Sequence, residues 1–484
     1  MQVEKNIFFS VILAISQLIF PIITFPYLAN VLNPDKIGMI QFADSFAKYA
    51  AFIAALGLPI YGLRSIAKVS SDIRLKKYLF VELFVINACL TILTILLIII
   101  FKEFIYPINH NPILFNWMLV YAGLQLFNLD WYFIGSDQFK FIALRSLIFR
   151  ILFILFIILF IKNTEDYNFY FVGMSICFFI MSIVNSWEVY KNLKPFNVNY
   201  KELEFIKHFK PLMFTFFTVF FISVYFSLDQ VIVGMLSNNT ELAYYAVATK
   251  YNKLIIAILT AITTALIPKM VKIESNHNTS DFIHNVDKTL YLIISIAIPF
   301  TLFTFYNAFQ IVDILFGSAY FGAVVPMQIT SLLILVVGLS SIFGFQILSI
   351  YQMDRQLLKV ALIGMLSSIF LFFLLVPRYN AIGAATSILL TELIVCIGFI
   401  YFSKGKYSHI QFLKSILTQF LFYSLIISIH YIIVPYLNMT FFKILVSSLL
   451  FVFAFYILQF KIYNNTLFAR NQFMNSLKYK IFNA

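Results

Sequence analysis

The chain has 484 residues, of which 62% are hydrophobic and only 11% are charged. Soluble domains carry about 25% charged residues, so the composition excludes a soluble protein and predicts an all-α polytopic membrane protein. The formal net charge of +13 does not signal nucleic acid, because the basic residues are spread over loops and form no single surface.

The N-terminus, MQVEKN, precedes an apolar run too long for a signal-peptide core and without a small-residue cleavage site, so the first segment reads as a retained helix. About fourteen apolar spans follow, at roughly 7–32, 38–66, 79–101, 112–136, 141–161, 168–190, 211–236, 242–268, 289–315, 324–350, 357–376, 381–403, 415–435 and 441–460. Losing the last pair would leave about twelve without disturbing the charge pattern. Most of the 34 Lys and Arg fall in connections on the starting side, whereas the opposite side carries Lys36, Lys102, Lys162, Arg378 and Lys443. The positive-inside rule therefore places both termini in the cytoplasm. The connection 191–210, KNLKPFNVNYKELEFIKHFK, is polar and basic. It reads as a linker between two six-helix lobes, 1–195 and 196–403, followed by an extra helix pair and tail at 404–484.

The second span carries the most informative pattern. Residues 32–68 read as a short polar turn, one long apolar helix and a basic exit. On a wheel at about 100° per residue, Gln41, Lys48, Ala51 and Ala55 lie within about 60° of Asp44, and Phe42, Phe46, Ile53 and Ile60 lie opposite. Lys48 is about 15 Å below the outer end of this helix. One reading is a wet cavity lined by the polar face, since ionisable groups at mid-membrane are functional by default. The other is an i,i+4 ion pair of Asp44 with Lys48 that only fixes packing.

A weak internal repeat supports the first reading. Lys48-Tyr49 and Lys250-Tyr251 occupy corresponding positions, each half a helix after a short outer turn. On the later helix Ala246, Lys250, Lys253, Ala257, Ala261 and Thr264 share a face, with Ile255 and Leu259 opposing it. Parallel repeats with sites at mid-membrane are a transporter plan. Lysine at such depth suits an anionic, phosphate-bearing ligand, and Lys253 serves either the ligand or helix anchoring.

Other charges divide by position. Asp229, late in the seventh span on a face with Thr215, Thr218 and Tyr225, could pair with Lys250, hold a coupling ion or cap packing. Asp130 and Arg145 are expected to form a structural ion pair across a turn. Arg150 is deeper and could face phosphate. Glu392 is either a protonatable coupling group or a packing carboxyl. Cys89, Cys177 and Cys396 lie in apolar segments without CxxC or Cys/His spacing, which argues against a disulfide or metal. No Walker loop, metal-spaced histidines or other enzyme motif occurs, so neither catalytic residues nor a cofactor is expected.

Four stretches carry a family resemblance. FPYLANVLNPDKIGMIQFADSFAKYAAFIAALGLPIYGLRSIAK (25–68), FNLDWYFIGSDQFKFIALRSLIFR (127–150), SLDQVIVGMLSNNTELAYYAVATKY (227–251) and VPRYNAIGAATSILLTELIVCIG (376–398) resemble, in order, segments of Wzx-type O-antigen flippases of the multidrug/oligosaccharidyl-lipid/polysaccharide exporter superfamily. The resemblance implies two six-helix bundles with alternating access. It implies translocation of undecaprenyl-diphosphate-linked oligosaccharide from the cytoplasmic to the periplasmic leaflet of the bacterial inner membrane, with proton or sodium coupling. An O-antigen polymerase and a chain-length regulator would be the implied protein partners, with membrane lipid around and no nucleic acid. By this reading Lys48, Lys250, Arg150 and Lys253 contact substrate, and Asp44, Asp229 and Glu392 couple ions or balance charge. Alternatives are a lipid II flippase, a multidrug or cation exporter with a more acidic cavity, and, from a different class, a membrane glycan polymerase, which would need larger outer loops.

Overall fold

In hydrocarbon every backbone N–H and C=O must be satisfied within the protein, which leaves helices as the economical solution for apolar segments of this kind. The computed structural model describes residues 2–69, 72–105, 111–194, 198–227, 229–276 and 279–407, with scattered positions between 417 and 451. No strand occurs among the described residues.

Fourteen α-helices are described: α1 (Gln2–Val31), α2 (Pro34–Ala55), α3 (Leu58–Lys68), α4 (Ile73–Ile100), α5 (Pro112–Leu124), α6 (Asp130–Gly135), α7 (Phe139–Phe160), α8 (Phe169–Leu193), α9 (Ile206–Ser227), α10 (Asp229–Leu236), α11 (Asn239–Ser275), α12 (Thr279–Phe316), α13 (Val324–Ser341) and α14 (Asp354–Ser403). Among the described residues, nine are long and apolar enough to cross a membrane, or ten when the bent α2–α3 pair counts as one span. The last two expected spans, 415–435 and 441–460, fall almost wholly outside the described residues.

One expected span is interrupted, and two expected spans run together into one bent helix. The sequence reads 38–66 as one helix, but the structure breaks it into α2 and α3 with a 45° bend. Leu56 (φ 44) and Gly57 (φ 77) are both left-handed, and a left-handed residue ends a helix. Gly57 is required there: a Cβ would lie 2.6 Å from the backbone N of Phe216 on α9. Pro59 then fits the first turn of α3, where its missing N–H costs nothing. The start of α2 is equally well specified. Asn33 accepts the Lys36 N–H at 3.0 Å, Pro34 opens the helix and Asp35 complements its dipole. The 50 residues of α14 would extend about 75 Å if straight, far beyond a bilayer core of about 30 Å. The chain breaks at Asn380 (φ 47, ψ −126), three residues after Pro377, which separates the segments expected at 357–376 and 381–403.

Packing divides the chain into two units, Met1–Ala243 and Tyr244–Ala484. In the first, α2 packs on α4, α5 and α10, α3 on α6 and α9, and α7 on α1 and α8. Its core joins Leu58 and Ile66 of α3 to Leu83, Trp131, Tyr132, Ile142 and Leu212. A buried polar knot lies beside this core. Glu82, 2% exposed, meets His208 Nε2 at 2.8 Å, and His208 Nδ1 meets the Tyr61 hydroxyl at 2.8 Å. The Glu204 backbone N–H and the Lys207 ammonium also donate to Glu82, at 2.7 and 3.1 Å. Together these bonds tie the start of α9 to α3 and α4. In the second unit α13 is central, packed between α12 and α14, and its core gathers Leu259, Ile293, Ala297, Ile334 and Phe343. Large apolar side chains that remain exposed, such as Ile92 and Leu96 on α4 or Ile151 and Leu155 on α7, form the surfaces that suit lipid.

Candidate functional site

The polar face of α2 is where sequence and structure converge. Lys48 Nζ lies 2.6 Å from Asp44 Oδ2, one helical turn back. The Asp44 side chain is 10% exposed and that of Lys48 58%, so the carboxylate is withdrawn and the ammonium presented. The other Asp44 oxygen, Oδ1, and Oε1 of Gln41 are buried and meet no donor among the described residues. The packing pair and the open ammonium are therefore one arrangement: an ammonium has three donors, and Asp44 uses one.

Lys48 lines a cavity of about 180 Å³ within the first unit. Ala51 and Ala55 follow it along α2, and their small side chains leave the room that larger residues would fill. The facing walls are polar at Asn87 and Thr91 of α4, at Gln125 and Asn128 between α5 and α6, and at Trp131 of α6. Thr91 donates to the Asn87 carbonyl at 2.8 Å. The Trp131 indole stacks on Phe80 (centroids 5.7 Å apart, 17° between planes), and its buried N–H meets no acceptor among the described residues. The described residues lining the cavity include neither Asp nor Glu.

The remaining candidates are placed elsewhere. Arg145 pairs with Asp130 and donates to Asn185 at 2.6 Å, and Asn185 in turn donates to the Phe127 carbonyl at 2.7 Å. This network clamps α7 and α8 to the α5–α6 connection. Arg150 donates to Ser16 of α1 and does not line the Lys48 cavity. Asp229 is buried at the start of α10 and accepts the Gln230 N–H at 2.9 Å. Gln230 takes a 2.8 Å hydrogen bond from Ser45, next to Asp44. Thr215 spends its hydroxyl on the Pro211 carbonyl; the side chains of Thr218 and Tyr225, expected on the same face, lie outside the described residues.

In the second unit, Lys250 and Lys253 on α11 are half-buried, while Ile255 and Leu259 from the opposite face enter the core. Between the two lysines, Asn252 is fully buried and donates to Thr330 of α13 at 2.8 Å. Glu392 is buried in the second half of α14, one turn before Cys396.

Outside the spans, Glu202 is held below the ordinary carboxylate range by hydrogen bonds from Asn199 and Tyr78 and by the Arg74 charge. The Asn199 amide contributes at 2.8 Å. This pins residues 199–202 to the start of α4.

The sequence reading did not single out Asn87, Thr91, Gln125 and Asn128. The signal for two of them was present: Asn87 and Thr91 are one turn apart in a stretch of 28 residues that is otherwise almost wholly apolar beyond its first turns. Gln125 and Asn128 sit where a span ends and look like loop residues until packing sets them beside the cavity, Gln125 half-buried and Asn128 exposed.

Residues 3–274 match a family described as "Polysaccharide biosynthesis protein". A "Putative O-antigen transporter" of Escherichia coli (strain K12) is 22% identical over 410 residues, covering 82% of this chain and 95% of that protein. A protein of the same description from Shigella dysenteriae is 21% identical over 398 residues, covering 81% of this chain and 98% of its own. Among solved structures, the chain is similar to the lipid II flippase MurJ in an inward closed conformation, with a TM-score of 0.68, 15% identity and coverage of 95% and 99% of the two chains. It is also similar to an inward-facing multidrug resistance MATE family transporter of the MOP superfamily, with a TM-score of 0.62, 12% identity and coverage of 80% and 93%. The molecule is thus a multi-pass membrane protein with the fold of these transporters, and its relatives are transporters and not enzymes.

Proposed function

Because the chain belongs to the polysaccharide biosynthesis protein family, we propose that it is a flippase for undecaprenyl-diphosphate-linked oligosaccharide repeat units. It carries them from the cytoplasmic to the periplasmic leaflet of a bacterial inner membrane, with both termini in the cytoplasm. The observation that carries this reading is the Lys48 ammonium, presented to a polar cavity inside a membrane-spanning unit. A cation at that depth is costly, roughly 2.5–3.5 kcal/mol on insertion scales, and a diphosphate offsets the cost. Lys48, Lys250 and Arg150 bind the diphosphate, Lys253 supports them, and Asp44, Asp229 and Glu392 couple a proton or sodium ion or balance charge. The two lobes are 1–195 and 196–403.

A drug or cation exporter would be served by acidic walls, and the residues lining the Lys48 cavity include no carboxylate. The experiment is transport by the purified full chain in proteoliposomes, offered undecaprenyl-diphosphate-linked oligosaccharide, lipid II and a cationic drug in parallel. The oligosaccharide-lipid is expected to cross. Movement of the drug alone, or of lipid II alone, would overturn the assignment.

A further inference from the structure

The cavity beside Lys48 holds more polar chemistry than one anion needs. An inorganic anion calls only for donors, yet Asn87, Gln125 and Asn128 each bring a carbonyl as well as an NH2 group. Three amides of this kind match hydroxyl or acetamido groups, which both donate and accept. Burying an amide in a membrane span without such a partner is costly, and Asn87 is only 8% exposed in α4. Trp131, held by its stack on Phe80, adds an indole N–H that no protein acceptor meets.

Size narrows the ligand. At about 180 Å³ the cavity falls below the roughly 300–1,000 Å³ of sites for drug-sized ligands. It has room for one ring and not for an oligosaccharide. Charge fixes which ring: two Lys48 donors remain after Asp44 takes one, and they stand at the cavity wall ready for a phosphate oxygen.

We infer that this cavity is a subsite for a single sugar ring, the one joined directly to the diphosphate, with Asn87, Gln125 and Asn128 reading its hydroxyl or acetamido groups while Lys48 holds the adjoining phosphate. The inference rests on the flippase reading. It assigns the four polar residues that reading leaves unused, with Thr91 keeping the Asn87 turn in place through its bond to the Asn87 carbonyl. The rest of the repeat unit lies outside this cavity.

The test compares two kinds of probe on the purified full chain in nanodiscs: undecaprenyl diphosphate alone, and undecaprenyl diphosphate bearing one N-acetylhexosamine or one plain hexose. The wild type should bind at least one sugar-bearing probe about tenfold more tightly than the bare diphosphate. Asn87→Leu, Gln125→Leu and the exposed-position variant Asn128→Ala should each erase most of that preference and leave binding of the bare diphosphate unchanged, which also reports that the variants are folded. Lys48→Ala should weaken both kinds of probe together. The subsite is overturned if no sugar improves wild-type binding, or if the amide variants weaken both probes equally or neither. If the wild type binds no probe at all, the flippase reading fails and the subsite fails with it.

Discussion

Lys48 and Asp44 are joined at 2.6 Å along one face of α2, and the second oxygen of Asp44 is buried without a donor. The pair is therefore asymmetric. Lys48 has alternatives in the cavity, whereas Asp44 depends on Lys48. Removing the lysine should cost more stability than removing both partners, because it leaves a buried carboxylate alone. Lys48→Ala is expected to lose about 1–3 kcal/mol, and the Lys48→Ala/Asp44→Asn double variant should recover part of it. Thermal unfolding of the wild type and these two variants in detergent checks this; a double variant less stable than Lys48→Ala would contradict the asymmetry.

The contact between His208 and Glu82 bridges residues 126 apart in sequence and both almost fully buried. His208→Ala strands a carboxylate that keeps only Lys207 and one backbone N–H, and should cost about 1–3 kcal/mol. Tyr61→Phe removes one hydrogen bond and should cost about 1 kcal/mol. Melting temperatures that leave both variants at the wild-type value would show that the knot does not hold α9 to α3 and α4.

Gly57 combines a left-handed backbone with a close approach to α9. Gly57→Ala should destabilise by more than about 1 kcal/mol, since both conformation and space oppose a Cβ. Gly405→Ala is the control, because no atom of the described residues lies within 4 Å of a Cβ there. Yields of folded protein from the two variants should differ clearly, and equal yields would remove the reason given for the break in the second span.

Glu202 titrates below the ordinary carboxylate value of 4.5. Its contribution is fully present above that unfolded-state value and is lost as pH falls through the lower folded-state value. Replacing it as Glu202→Gln should flatten the acid side of the stability curve and leave neutral pH nearly unchanged, because an exposed group contributes little. Melting temperatures across the acid range read this out.

What the sequence made legible is what repeats along one helix. The face of Asp44, Lys48, Ala51 and Ala55 follows from periodicity alone; the start of α2 at Pro34 precedes the span expected from 38, because its cue, Asn33-Pro34-Asp35, is polar and falls outside an apolar window. The break at Leu56–Gly57 was not legible, because hydropathy runs on across it; its local cue was the short run Gly57-Leu58-Pro59. The amide walls were not legible for a different reason. Asn87, Gln125 and Asn128 come from separate segments, and each alone is an ordinary polar residue. Glu82 and His208 likewise meet only through packing. The two units place Lys48 in one and Lys250 in the other, so the kinship of these lysines still rests on the sequence repeat.

The most direct test of the account is the translocation rate of undecaprenyl-diphosphate-linked oligosaccharide in proteoliposomes containing wild type, Lys48→Ala, Lys250→Ala or the double variant at equal amounts of inserted protein. Each single variant should slow transport by about tenfold, consistent with losing one charge-assisted contact, and the double variant should slow it further. Wild-type rates in both single variants would contradict the claim that these lysines carry the diphosphate.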